Sequence, residues 1–220
     1  MKSKETKTLL VGLMLVATFI VWTVLIQVVD VQAVGQKGTD VGFATLNMWF
    51  HKVTGVHMWI YVVTDWLGLV PIFVCMIFTW LGFVQLVKRR SLLKVDCDII
   101  FLGIYYIVVI FNYFIFEMIP INYRPILIQG IMEASYPSST TLLVLSVMPT
   151  LVFQGNRRLE NITLKKIICI MTYMFTAFMV IGRLVAGVHW ITDIVGSVIF
   201  SVGVFFIYKS VVLYMDKKKN

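Results

Sequence analysis

The chain has 220 residues, of which 60% are hydrophobic and only 14% charged, with a mean hydropathy of +0.91. A soluble domain of this size uses roughly 45–50% apolar residues and cannot hide more, so a water-soluble globule, a disordered tail and a disulfide scaffold are all excluded. The net charge of +8 sits in short clusters between apolar runs rather than on one basic face with interleaved aromatics, so it speaks for orientation in a bilayer and against nucleic acid.

The expected class is therefore an all-α integral membrane protein, and the runs predict six spans in one membrane-embedded domain covering residues 1–220. The first span is residues 9–29. Lys2, Lys4 and Lys7 precede it in the manner of a signal peptide. The run is nevertheless longer than the ~7–15-residue signal core and reads as a retained helix. Residues 30–57 form an outer segment in which Phe43, Leu46, Phe50 and Val53 recur at helical spacing, near Trp49 and Trp59. That pattern predicts a short interfacial helix with an aromatic belt; the competing reading is a lateral gate for a lipid. His51 and His57 read as interfacial polar residues. The second span is residues 58–87, with Asp65 near its start and Pro71 as the expected kink. The third is 99–116. The fourth, 140–154, is short and contains Pro149, and the fifth and sixth are 167–182 and 190–208.

Orientation follows from the cations. With both termini cytoplasmic, the inner segments hold Lys2, Lys4, Lys7, Lys88, Arg89, Arg90, Lys94, Arg157, Arg158, Lys165, Lys166, Lys209, Lys217, Lys218 and Lys219, which is 15 of 19. Only Lys37, Lys52, Arg124 and Arg183 fall outside, as the positive-inside rule requires. Cys75, Cys97 and Cys169 cannot all pair and read as free packing thiols. No His, Cys or Asp group has metal spacing, and neither a metal nor a cofactor is expected.

Ionisable residues near spans are costly and are functional hypotheses by default. Three groups meet at the outer ends of spans: Glu117 with Asn122-Tyr123-Arg124-Pro125; Tyr136-Pro137-Ser138-Ser139-Thr140; and the run from Gly182-Arg183 to His189 and Asp193. Arg124 and Arg183 can grip phosphate oxygens with planar forks. Ser138, Ser139 and Thr140 open a helix whose free amides favour an anion. His189 and Asp193 lie four apart on one helix face, so the carboxylate can fix the imidazole tautomer and free the other nitrogen to attack. Each feature has a plainer reading: snorkelling arginines, a serine cap, a structural His–Asp pair. Their convergence at one depth favours a phosphate pocket with a histidine nucleophile. Charges are sparse at mid-depth, which argues against a transport path through the bundle.

These residues resemble the type 2 phosphatidic acid phosphatase superfamily, membrane lipid phosphatases related to vanadium haloperoxidases, whose signatures are KxxxxxxRP, PSGH and SRxxxxxHxxxD. The resemblance implies that Arg124, Arg183 and Ser138 hold phosphate, that His189 forms a phosphohistidine, that Asp193 orients it, and that the site faces the extracytoplasmic side of the cell membrane. Four positions depart from the pattern. Glu117 replaces lysine, Ser139 replaces glycine, Gly182 replaces serine, and Thr140 stands where the family has the histidine that protonates the leaving group. Without that acid, worth about 10²–10⁴-fold, an alkoxide leaves slowly. A leaving phosphate, with a second pKa near 6, needs no proton. The expected substrate is therefore a lipid phosphate of the diphosphate kind, such as a polyprenyl diphosphate, with Glu117 or Glu133 as alternative acids. The competing expectation is a member that binds lipid phosphate without hydrolysing it. Oligomeric state is not legible.

Overall fold

A backbone in hydrocarbon must satisfy its own hydrogen bonds, so each uncharged run folds as helix. In the computed structural model, which describes residues 4–219, the helices are α1 (Lys4–Val28), α2 (Ala44–Thr54), α3 (Met58–Leu67), α4 (Leu69–Arg89), α5 (Cys97–Met118), α6 (Ser139–Arg158), α7 (Ile162–Val185) and α8 (Ile191–Lys219). Lys2, one of the expected inner cations, lies outside the described residues. Five segments are long and apolar enough to cross a membrane: α1, the α3–α4 pair, α5, α7 and α8. Large apolar side chains such as Met14, Phe73, Ile107 and Met174 stay exposed on them, the surface a lipid-facing bundle presents.

The expected fourth span behaves differently. Helix α6 runs four residues further than the expected end at 154 and carries Pro149 inside it, yet it is not among the five apolar segments. The reason is a row of polar residues one turn apart, Ser146, Thr150 and Gln154, all fully buried. They bond to neighbouring helices: Ser146 Oγ to Ser201 Oγ at 3.1 Å, Thr150 Oγ1 to the Tyr106 hydroxyl at 2.7 Å, and Gln154 Nε2 to the Tyr208 hydroxyl. Packed on α4, α5, α7 and α8, α6 touches protein where the others touch lipid.

The second span breaks at Gly68, just before the expected kink. Pro71 has no N–H to give the Leu67 carbonyl, which frees the preceding turn; Gly68 closes α3 by donating to the carbonyls of Thr64 and Asp65 at 3.1 and 3.0 Å. Helices α1 and α8 cross closely. A Cβ on Gly12 would lie 2.8–2.9 Å from Ile207 and the Gly203 carbonyl, so only glycine allows the approach. Phe19, Phe116, Tyr136 and Phe200 pack where α1, α5 and α8 meet.

The two poles of the bundle carry the charges; the pole that gathers most of the cations expected to face inward is here called the inner pole, and the opposite one the outer pole. At the inner pole Arg157 donates to Asp216 at 2.6 and 3.0 Å and to Asp98 at 3.2 Å; Arg158 donates to Asp98 at 2.8 and 3.0 Å; Arg89 pairs with Asp96 at 2.8 Å. These contacts tie α4, α5, α6 and α8 together beside a cavity of about 540 Å³. At the outer pole the expected interfacial helix is α2. It exposes Leu46, Trp49 and Val53 and buries Asn47, whose Nδ2 donates to the Gly42 carbonyl and to Thr192 Oγ1 at the start of α8.

Candidate functional site

The site is assembled from three connections at the outer pole. The loop after α5 folds back on itself, with Arg124 N–H donating to the Glu133 carbonyl at 3.1 Å and Ser135 N–H to the Asn122 carbonyl at 2.8 Å. It leads through a cis Tyr136–Pro137 bond into α6, where Ser138 is the cap residue. The turn from α7 to α8 carries His189. Gly187 makes that turn at φ +71, and a Cβ there would lie 2.0 Å from the Gly55 carbonyl oxygen. The turn is pinned to the α2–α3 connection by His57 N–H donating to the Ala186 carbonyl at 3.0 Å, and by His51 Nε2 donating to the Gly187 carbonyl at 3.1 Å. Trp190 Nε1 donates to the Tyr123 carbonyl at 2.8 Å, fastening the turn to the loop after α5.

The expected residues largely converge. Arg183 is 1% exposed, and its Nη2 donates to His189 Nε2 at 3.2 Å. Its guanidinium carbon stands 4.9 Å from the centre of the Tyr61 ring, and that of Arg124 stands 5.7 Å from the same centre. Tyr61 thus brings both forks to one place. Arg124 Nη2 pairs with Glu133 at 3.1 Å. Three further guanidinium nitrogens, Arg124 Nε and Nη1 and Arg183 Nε, are buried without a hydrogen-bond partner. Buried unpaired donors on cations are costly, and two such forks side by side describe a binding site for a tetrahedral oxyanion.

The imidazole is held differently from expectation. Asp193 lies 3.9 Å from His189 Nδ1, too far for the direct hydrogen bond that the four-residue spacing predicts. Ser135 stands between them. His189 Nδ1–H donates to the Ser135 carbonyl and to its Oγ, each at 3.1 Å, and Ser135 Oγ–H donates to Asp193 Oδ2. A carbonyl only accepts, so the proton sits on Nδ1 and the Nε2 lone pair points at Arg183. Burial, then the positive charges of Arg183 and Arg124, hold the imidazole well below the usual histidine range, against the Ser135 carbonyl, which acts the other way. Asp193 also accepts from Asn122 Nδ2 at 3.2 Å and from Trp190 N–H at 2.9 Å, capping α8. Ser135 and Asn122 are thus additions to the expected set; nothing in the spacing marks Ser135, which lies outside the three signatures.

The remaining residues separate. Ser138 is fully buried and its hydroxyl donates to Thr141 Oγ1 at 3.1 Å, while its carbonyl accepts from Ser197 Oγ. Its hydroxyl belongs to the start of α6 rather than to the arginine pair. Ser139, Glu117, Glu133 and Arg124 line one cavity of about 220 Å³. Thr140 lines an adjoining groove of about 320 Å³ with Asp65, Leu69, Ile72, Val109 and Leu143, and Ser139 borders both spaces. Gly182 has a steric reason: a Cβ there would lie 2.8 Å from Thr64 Cγ2, so a serine at this position would push α3 away from α7.

Residues 115–217 match the family model described as the PAP2 superfamily, a stretch that contains all three charged groups. Among solved structures the chain is similar to the crystal structure of the first transmembrane PAP2 type phosphatidylglycerolphosphate phosphatase from Bacillus subtilis. The TM-score is 0.62 at 16% identity, covering 95% of this chain and 97% of that one. At that identity the likeness speaks for the fold. No curated protein sequence matches the chain.

Proposed function

We propose that this chain, which belongs to the PAP2 superfamily, is a membrane lipid phosphatase that cleaves a lipid phosphate at the extracytoplasmic face through a phosphohistidine on His189. One observation carries the reading: the Nε2 lone pair faces the Arg183 fork at 3.2 Å, while neighbouring donors of Arg183 and Arg124 are buried and unpartnered. A phosphoryl group that takes those donors draws Arg183 from the imidazole and uncovers the nucleophile. Arg124 and Arg183 spread the charge that builds on the equatorial oxygens, where electrostatic stabilisation does most of the work in phosphoryl transfer. Ser135, with Asp193 behind it, keeps the attacking tautomer. Ser139 and the α6 amino terminus add dipoles from the cavity side.

The proposed topology has six crossings. Helix α6, at about 1.5 Å per residue, is long enough to cross, and it is sheathed by other helices, so its polarity is no bar. The inner pole, with Arg89, Arg157 and Arg158, then faces the cytoplasm together with both termini.

A lipid diphosphate is the favoured substrate because the Thr140 hydroxyl is far too weak an acid to protonate a leaving group and a leaving phosphate needs no proton. The test is phosphate release by the purified protein from a panel of lipid mono- and diphosphates, with His189→Ala as control. The expected result is faster turnover of diphosphates, and equal turnover of both classes would remove the preference. The second reading, binding without hydrolysis, is motivated by the same Thr140 and by Glu117. It predicts phosphate affinity that needs Arg124 and Arg183, with no release from any lipid.

A further inference from the structure

The phosphohistidine must be hydrolysed, and the outer pole holds a carboxylate placed for that step. Asp65 Oδ1 lies 3.8 Å from Arg183 Nη1, whereas His189 Nε2 meets the other terminal nitrogen, Nη2, at 3.2 Å. A phosphoryl group gripped by that fork therefore has the imidazole towards one end and the carboxylate towards the other. Attacking and leaving oxygens stand roughly in line in phosphoryl transfer, so the leaving group departs on the side away from His189 and water later arrives there.

Asp65 also lines, with Ser139 and Thr140, a largely apolar groove. Asp65 is 58% exposed at the side chain, and Arg183 is its one charged partner among the described residues. Glu133, by contrast, is engaged with Arg124 at 3.1 Å on the cavity side. Gly182 makes the arrangement possible. Its missing side chain admits Thr64 against α7, and Thr64 Oγ1 reaches 3.5 Å from Arg183 Nη1, carrying Asp65 alongside. Beside the Arg183 guanidinium, the carboxylate offers a water molecule an acceptor, as a general base must.

We propose that Asp65 is the general base of the second half-reaction, taking a proton from the water that hydrolyses phosphohistidine 189. The water oxygen bonds to phosphorus as the P–Nε2 bond breaks, and that bond's electron pair returns to Nε2. One water proton passes to Asp65, and orthophosphate leaves. The proposal rests on the lipid-phosphatase reading above, and it assigns one half of the work of the absent histidine to a residue outside all three signatures.

The test mixes the full-length protein rapidly with a lipid diphosphate carrying ³²P in its terminal phosphate. Asp65→Asn is expected to release lipid monophosphate in one burst per active site, to accumulate an acid-labile, base-stable phosphoprotein, and to lose about 10²–10⁴-fold in steady-state turnover. Asp65→Ala should accumulate the same species, and added formate should speed its breakdown; a residue that merely positions Arg183 would give neither effect. Asp65→Glu should keep more turnover than Asp65→Asn. Wild-type turnover in Asp65→Asn overturns the proposal, as does slow turnover without a burst, or a trapped phosphoprotein indifferent to formate. Wild-type protein that neither turns over nor becomes labelled overturns the phosphatase reading itself, and Asp65 with it. Labelling that survives in His189→Ala would move the nucleophile elsewhere.

Discussion

The inner and outer poles use the same side chain to opposite ends. Arg157 pairs with Asp98 and Asp216, and Arg158 with Asp98 and Asp96, with bidentate contacts from Arg157 to Asp216 and from Arg158 to Asp98. Arg124 and Arg183 are more deeply buried, yet keep donors with no hydrogen-bond partner among the described residues. A saturated guanidinium is a staple between helices. An unsaturated one is a socket, maintained against its own desolvation because the surrounding fold imposes it. The difference teaches that charge alone does not mark a site; incomplete pairing does.

The sharpest way to break this comparison is at the nucleophile. His189→Ala should lower turnover by about 10⁴-fold or more, as loss of a covalent nucleophile does, with the unfolding transition little changed; residual phosphate release near the wild-type rate would end the outer-pole reading. Arg183→Lys and Arg124→Lys come next, at about 10²–10³-fold in kcat/KM, since a point charge does not replace a planar fork. The matching change at the inner pole, Arg158→Ala, should leave kcat/KM intact and cost about 1–3 kcal/mol of stability, because Asp98 is nearly buried but Arg158 is partly screened. Denaturant unfolding in detergent beside lipid-phosphate kinetics would show whether the two poles separate in this way.

Smaller effects sharpen the picture. Ser135→Ala removes the link between His189 and Asp193 and should lower kcat about tenfold, the worth of roughly 1.4 kcal/mol of hydrogen bonding, with KM unchanged. The pH profile is the finest test. Because the folded imidazole titrates well below its usual range, kcat/KM should stay flat through pH 6.5, where an unperturbed histidine would already have lost about half its free base. The sign for stability follows: the neutral buried ring contributes above the unfolded value of about 6.5, and that contribution is lost as pH falls. An acid limb centred near 6.5, after correction for titration of the substrate phosphate, would place the ring in its ordinary range and overturn this expectation.

Much of the helical layout was legible because hydrocarbon imposes a simple rule on composition, and five apolar runs obey it. The sixth was harder to read because α6 satisfies Ser146, Thr150 and Gln154 with partners from α5 and α8, a bargain struck between helices that no local window reports. The meeting of Arg124, Arg183 and His189 at one place follows from the spacing. Ser135 was not legible there, since its role arises from the fold of the loop after α5 rather than from its place in a motif. The separation of Asp193 from direct contact with the ring likewise depends on packing between segments distant in the chain.

Gly182 and Thr64 compete for one small volume. A serine placed at 182 alone would therefore be harmful for a reason unrelated to phosphate, while the same change paired with a smaller residue at position 64 would be tolerated. The two positions are thus bound to change together: with α3 settled against α7, a side chain at 182 needs room given up at 64.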